Sequence, residues 1–484
     1  MVEINLSYFL GKQVTAPVLV WLLWRLFKEY QNKENVKAIK EHNVEQTSDS
    51  VNEKLQDWKP TKFIKEETIP IQVEEKENYK SWEETERHPY KPFKPGEHHL
   101  AMNANIAPIS YWIVMDKSYK DRIMRKWEIL ETEYEDLVFH LDPVMINSGS
   151  VNSSPEEGMN AKIIITEQDA RHADEALCEF YKNLVSYLTC RFPQYFQVVL
   201  EPGATPGALY NKILDEYHPV DPVRYLKLSS EPAPCINYKC FNTDIIPDKL
   251  TQDLDIMEDE IGYRVLISCD KTRRAHELIL AGSRLAEDDL TLLSTNASNQ
   301  YNGEAIMHSG IFAFASGFNS RHKFLKPLTL VHAPVPGYEK DLQSPMNKFL
   351  ARLKPNTLVY RVNYAFQKHA KLYSQRRIAS QKERAADEER GRDKVHYRSE
   401  RQTLIKFETL EGRNTVVFGI KTYLWNFEEE FLTNNFYSQP EIVEELRQAV
   451  VGIDGAFGKY KAKSEWGPPL MELIDRAQKL NKTG

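Results

Sequence analysis

The chain has 484 residues, 41% hydrophobic and 11% aromatic, enough for one large domain with extensions or for two to three average ones. A net charge of −7 without long blocks of like charge provides no electrostatic footprint for nucleic acid. Five cysteines (Cys178, Cys190, Cys235, Cys240 and Cys269) are too few for a secreted disulfide framework, and their spacing matches neither zinc nor iron–sulfur patterns.

Along the chain, Val14–Trp24 is apolar, with Lys12 before it and Arg25 and Lys28 after it. Extended from Tyr8 to Leu26, with Lys12 snorkelling, it approaches the ~20 residues that cross a bilayer. Residues 1–30 are therefore expected to form a membrane anchor helix, with an interfacial or protein-docked helix as the alternative. The cations Arg25, Lys28, Lys33 and Lys37 would keep the main body cytosolic. Residues 31–87 are rich in Lys, Glu, Asn and Gln and predict a polar linker; a proline-rich stretch, His88–Gly96, then opens a folded domain over 88–480.

Inside that domain, helical periodicity runs over Tyr119–Tyr134 and Asp169–Phe192, and Lys212–Tyr225 is irregular. Arg264–Ser268, Ala305–Phe314 and Leu328–His332 read as strands, the last stopped by Pro334 and Pro336. Phe366–Arg392 reads as a long charged helix. Tyr397–Phe407 alternates as a strand, Glu411–Asn414 supplies turn chemistry, and Thr415–Tyr423 returns. Glu441–Val451 and Leu470–Leu480 are amphipathic helices. Strands and helices without a regular βαβ rhythm predict an α+β fold with a mostly antiparallel sheet.

Nucleotide-binding glycine loops, a zincin motif and a nucleophile elbow are all missing from the sequence. Four features remain for chemistry. His332 precedes a stiff Ala-Pro-Val-Pro segment; it suits an axial ligand or general base, or else a hydrogen-bonded core histidine, and His308 and His322 invite the same two readings. In the strand from Tyr397, Arg398, Glu400 and Gln402 point one way, with Ser399, Arg401 and Thr403 the other. Charges on both faces signal pairing, a ligand, or a solvated edge strand. Glu287-Asp288-Asp289 suits a helix N-terminus, or an anchor for an amine. Asp253-Leu-Asp255 has the letters of a glycosyltransferase metal–nucleotide motif in an otherwise featureless stretch.

An ordered set of motifs carries a resemblance. Pro89–Gly96, Arg191-Phe-Pro193, the Asp288-Asp289-Leu290 neighbourhood, Phe318-Asn-Ser-Arg321, Val331–Gly337, Arg361-Val-Asn-Tyr364 and Arg398–Leu404 follow one another as in the alpha subunit of haem-dependent oxidative N-demethylase. The chain resembles that group and its fungal relatives, the HRQ family or DUF3445 domain, over about Pro89 to Asp475. It departs from the pattern at Glu287 and Asp288, where the family more often shows Gln-Glu, at His322 and Tyr364, where it tends to have tryptophan, and in the charged insert after Tyr364. The resemblance implies a PAS-like antiparallel sheet cupping haem b, and oxidation of a small amine with O2. Electrons would come from a separate NAD(P)H-dependent reductase bearing flavin, iron–sulfur clusters or both. It also implies His332 as the iron ligand, with Arg398 and Arg361 as further cofactor-binding residues. Arg401 and Gln402, with Glu400, would form a polarised distal site or pair with the propionates, and Asp288 or Asp289 would orient the amine. A membrane-tethered haem sensor and a lumenal glycosyltransferase are the competing expectations.

Overall fold

The computed structural model describes residues 81–141, 167–199, 208–220, 222, 245–246, 269–295, 304–376, 394–408 and 414–483. The expected anchor, nearly all of the linker, Cys235, Cys240, Asp253-Leu-Asp255, the strand at 264–268 and residues 377–393 of the expected charged helix lie outside them.

Among the described residues, ten strands form two open antiparallel sheets. The larger has seven strands in the order β1-β8-β9-β10-β6-β7-β2. These are β1 (Asn105–Ala107), β2 (Val138–His140), β6 (Asp289–Thr295), β7 (Ala305–Ile311), β8 (Leu358–Gln367), β9 (His396–Glu408) and β10 (Asn414–Asn426). The smaller sheet joins β3 (Phe196–Val199), β4 (Ala208–Asn211) and β5 (Glu216–Pro219). This corrects the expected fold: there is no single PAS-like cup and, among the described residues, no apolar N-terminal helix. Instead, two open sheets are flanked by helices in a mixed α and β architecture.

Strands β9 and β10 pair from Asn414↔Glu408 to Asn426↔His396, the longest ladder described. Their β-branched and aromatic content favours a pleated surface. At Gly310, φ is +128° and a Cβ would sit 2.3 Å from the Leu290 carbonyl oxygen, so only glycine lets β7 approach β6 beside the bulge at Leu292/Leu293.

Each face of the large sheet is covered differently. On one face, Tyr364, Phe366, Tyr397, Tyr423 and Trp425 pack against C-terminal helices α6 (Phe427–Thr433), α7 (Pro440–Gly452) and α9 (Lys463–Thr483), which alternate with the short α8 (Gly455–Tyr460). Burying such side chains contributes roughly 1.5–3 kcal/mol each, and this aromatic mass anchors β8–β10. Farther along the same face lie α2 (Glu167–Arg191) and α3 (Cys269–Leu285), whose Leu177, Phe180 and Ile279 line a small cavity with Leu290 and Leu292. On the opposite face, Leu293, Val359, Leu404 and Val416 meet Leu328, Met346 and Phe349. Those three come from α4 (Leu328–Val331) and α5 (Gln343–Arg352); α1 (Tyr119–Leu137) precedes β2.

Three local expectations change. Leu328–Val331 is a helical turn, not a strand: Pro327 stands at its N-cap and the Thr329 N–H donates to the Glu304 carboxylate at 2.8 Å. Phe366 and Gln367 complete β8 rather than starting a helix. Glu287 and Asp288 link α3 to β6 instead of opening a helix, because the strand's apolar run follows at once.

Candidate functional site

Strand alternation builds the site. In register, Arg361 faces Gln402, Asn363 faces Glu400 and Ala365 faces Arg398, so all six share one face of β8–β9. Arg361, Asn363, Glu400 and Gln402 are half-buried, and this polar floor stays partly open beside the α4–α5 segment. Glu400 organises it. Its Oε1 accepts from Arg398 Nε at 2.8 Å; its Oε2 accepts from Gln402 Nε2 at 3.1 Å and Asn363 Nδ2 at 3.3 Å. Burial alone would push the carboxyl up, but the Arg398 guanidinium and these hydrogen bonds hold it below its ordinary range, so it is ionised. Arg398 also donates to the carbonyls of Leu372 and Phe314. Arg361 Nε and Thr422 Oγ1, the latter paired in register with Glu400, are buried on this face without a hydrogen-bond partner among the described residues.

His332 caps the C-terminus of α4. Its Nδ1 bonds to the Leu328 carbonyl at 2.8 Å and its ring stacks on Tyr338 with centroids 4.5 Å apart and planes 11° from parallel. That bond requires a proton on Nδ1, leaving the Nε2 lone pair, among the described residues, without a hydrogen bond. Burial pushes the imidazole's pKa down, and nearby Lys323 and Arg361 add to the effect, so it is neutral. The donor set suits a haem: one neutral imidazole with a fixed tautomer and a buried arginine N–H still available for an acid group. The other two histidines do not offer this. His308 engages both ring nitrogens, with Ser294 Oγ at 2.8 Å and Ser309 Oγ at 2.9 Å, and is a core residue. His322 is exposed on a short 3-10 turn.

The remaining sequence-identified residues lie elsewhere. Arg401 points to the opposite face, fully buried, donating to the carbonyls of Trp112 and Tyr111. Beside it, Lys421 reaches the Val114 carbonyl at 2.7 Å, Asp116 at 3.0 Å and Glu287. Tyr423 donates to Asp116 at 2.9 Å, and the Ser118 hydroxyl to Asp116 at 2.6 Å. Burial pushes Glu287 up to about 7 despite the lysine. Asp288 joins this sealed cluster, its two carboxyl oxygens buried without hydrogen bonds among the described residues and its pKa raised by burial. Asp289 turns the other way, accepting from the Phe314 N–H at 2.7 Å with Lys126 at 3.6 Å. Sequence reading passed over Lys421, Asp116 and Thr422. Their legible signal was a lysine inside Val-Val-Phe-Gly-Ile-Lys-Thr-Tyr423, where the alternation calls for a buried side chain.

The membrane expectation is corrected. No helix among the described residues is long and apolar enough to cross a membrane, and the stretch expected to do so lies outside them. The expectation of iron also needs correction in one respect: among the described residues no group of three or more His, Cys, Asp or Glu side chains could hold a metal ion. A porphyrin-bound iron, needing a single protein ligand, is a different chemistry. A search of curated proteins finds no match. A family model described as "haem-dependent oxidative N-demethylase, alpha subunit-like" matches residues 104–236 and 239–471, well over half of the chain. The chain therefore belongs to the haem-dependent oxidative N-demethylase alpha subunit-like family, a group of haem-binding, oxidoreductase-like proteins.

Proposed function

We propose that this chain holds haem b against the half-open face of β8–β9 with His332 as its axial ligand, and that it oxidises a small amine. The observation that carries the reading is the pairing of a tautomer-fixed imidazole with a half-buried Arg361, where the His332 Nε2 and the buried Arg361 Nε have no hydrogen-bond partner among the described residues. Bound haem would supply activation of O2. Electrons would come from a separate NAD(P)H-dependent reductase with flavin, iron–sulfur clusters or both.

Arg361 is suited to bind a propionate, with Arg398 holding the floor beneath it. Glu400, ionised and only partly exposed, is suited to accept N–H groups from a protonated amine, and Gln402 and Asn363 hold its carboxylate in place. The burial of Asp288 and the ties of Asp289 to Lys126 and Phe314 favour Glu400 over both for that contact. Arg401 would support the site from the opposite face by fixing the segment at Tyr111–Trp112 to β9.

An absorption spectrum of the full chain after haem addition tests the reading. A Soret band is expected for the parent and its loss or displacement for His332→Ala; an unchanged band in that variant would remove His332 as ligand. Formaldehyde release with amine, O2 and a chemical reductant tests catalysis. Silence across a panel of small amines would leave a haem-binding module without this activity.

A further inference from the structure

Away from the floor, one buried carboxylate draws four donors together. Glu304, 4% exposed, accepts from the Thr329 backbone N–H at 2.8 Å and the Thr329 hydroxyl at 2.7 Å. It also accepts from Asn347 Nδ2 at 2.9 Å and Gln343 Nε2 at 3.2 Å. Gln343 in turn donates to the Thr329 hydroxyl at 2.7 Å, closing a ring of side chains between α4 and α5. These hydrogen bonds hold Glu304 below its ordinary range although burial opposes them, so the group is a carboxylate.

The consequence falls on His332. Helix α4 has four residues, too few to persist without tertiary support. Its first turn is held by Glu304 and its last by Lys323 Nζ, which donates to the Val331 carbonyl at 2.7 Å. The imidazole bonds back to Leu328 in that first turn and stacks on Tyr338, whose hydroxyl contacts Met346 Sδ at 3.6 Å on α5. Tyr338 begins a π-helical turn that runs into α5, a geometry that concentrates at functional sites. Both supports of the ring, the Leu328 carbonyl below and the Tyr338 face beside it, therefore depend on α4 and α5 staying in register across Glu304.

We propose that Glu304 is the positioning residue for His332, clamping α4 to α5 so that the imidazole Nε2 stays aimed at its ligand; this rests on the assignment of His332 as the axial ligand. Glu304 does not touch the ligand itself. Because the carboxylate is buried near the ring, its negative charge also makes the imidazole a stronger donor.

The test compares Glu304→Ala, Glu304→Gln and the milder Asn347→Ala in the full chain, by two readouts. The first is amide hydrogen exchange without haem. Glu304→Ala should speed exchange over 328–347 while the β8–β10 amides keep parent rates. The second is haem titration with the spectroscopic signature of histidine ligation. Loss of such supporting groups typically costs ~10–100-fold in affinity, so Glu304→Ala should fall in that range. Glu304→Gln keeps one acceptor oxygen but turns an amide N–H2 toward a donor, so it should weaken binding less than Glu304→Ala and shift the haem reduction potential upward, because a buried negative charge is lost. A purely structural role would move affinity through stability without that shift in the Gln variant. If Glu304→Ala does not fold, Asn347→Ala should still weaken haem binding measurably and speed exchange in 328–347. Parent-like exchange together with parent-like affinity in either variant overturns the proposal. If the parent itself binds no haem, the assignment of His332 fails separately, and parent-like exchange in Glu304→Ala would then still overturn the clamp.

Discussion

The two faces of the β8–β9–β10 sheet carry nearly the same side-chain chemistry in opposite states of enclosure. On the half-open face, Arg398, Glu400, Gln402, Asn363 and Arg361 form a network whose carboxylate is ionised and whose outer donors remain available. On the sealed face, Arg401, Lys421, Asp116 and Glu287 bond to one another and to backbone carbonyls, with no member more than 1% exposed. Neighbours in sequence thus serve different ends. The sealed cluster is mortar between the sheet and the segment at 111–118, whereas the open floor is where a ligand can meet charge. A buried ion pair must recover its desolvation through near-complete pairing, and a site that still has to bind something cannot be fully paired.

Substitutions on the two faces should separate stability from binding. Lys421→Met strands Asp116 and Glu287 in the interior and should cost about 3–5 kcal/mol of unfolding free energy in urea melts; a cost under about 1 kcal/mol would show that the cluster is not structural. Acid should attack the interior next. Burial holds His276 down at about 3 and His308 well below its ordinary value of 6.5, so both are neutral when folded. Between those folded values and 6.5 the unfolded chain binds more protons, and stability should fall by a few kcal/mol as pH drops from about 6.5 toward 3. Thermal melts across that range check the sign.

A smaller effect of opposite sign belongs to Glu287. Its folded pKa is raised to about 7, so its contribution is present at low pH and lost as pH rises through that value. Glu287→Gln, which mimics the protonated acid, should therefore gain stability relative to the parent between pH ~5 and ~8, by on the order of 1–3 kcal/mol. A flat difference would mean the acid is ionised throughout. Smallest in stability should be Gln402→Ala on the open floor, within roughly 0.5–1 kcal/mol of the parent. The same change should weaken binding of a small amine by equilibrium titration, since it loosens Glu400.

Much of the scaffold was legible in the sequence. The helices at Tyr119–Leu137 and Pro440–Gly452, and the β9–β10 hairpin, follow from periodicity and turn residues alone. Alternation also separated Glu400 from Arg401 before any fold was known. Leu328–Val331 was misread because four apolar residues suit either state, and Glu304, more than twenty positions upstream, decides for the helix. Both Arg398 and Arg401 turned out buried, with neither given to solvent, because each finds carbonyl partners on segments remote in sequence: Phe314 and Leu372 for one, Tyr111 and Trp112 for the other.

What the sequence determined by itself, then, was local: where strands alternate, where helices run, and which ordered motifs mark the family. Which face is open and which is sealed, which histidine keeps a lone pair, and which acid stays ionised were decided only by tertiary structure. The reason is physical. Period and turn chemistry act between residues a few positions apart, whereas burial and charge pairing depend on groups that meet across tens to hundreds of positions, such as Lys421 with Asp116.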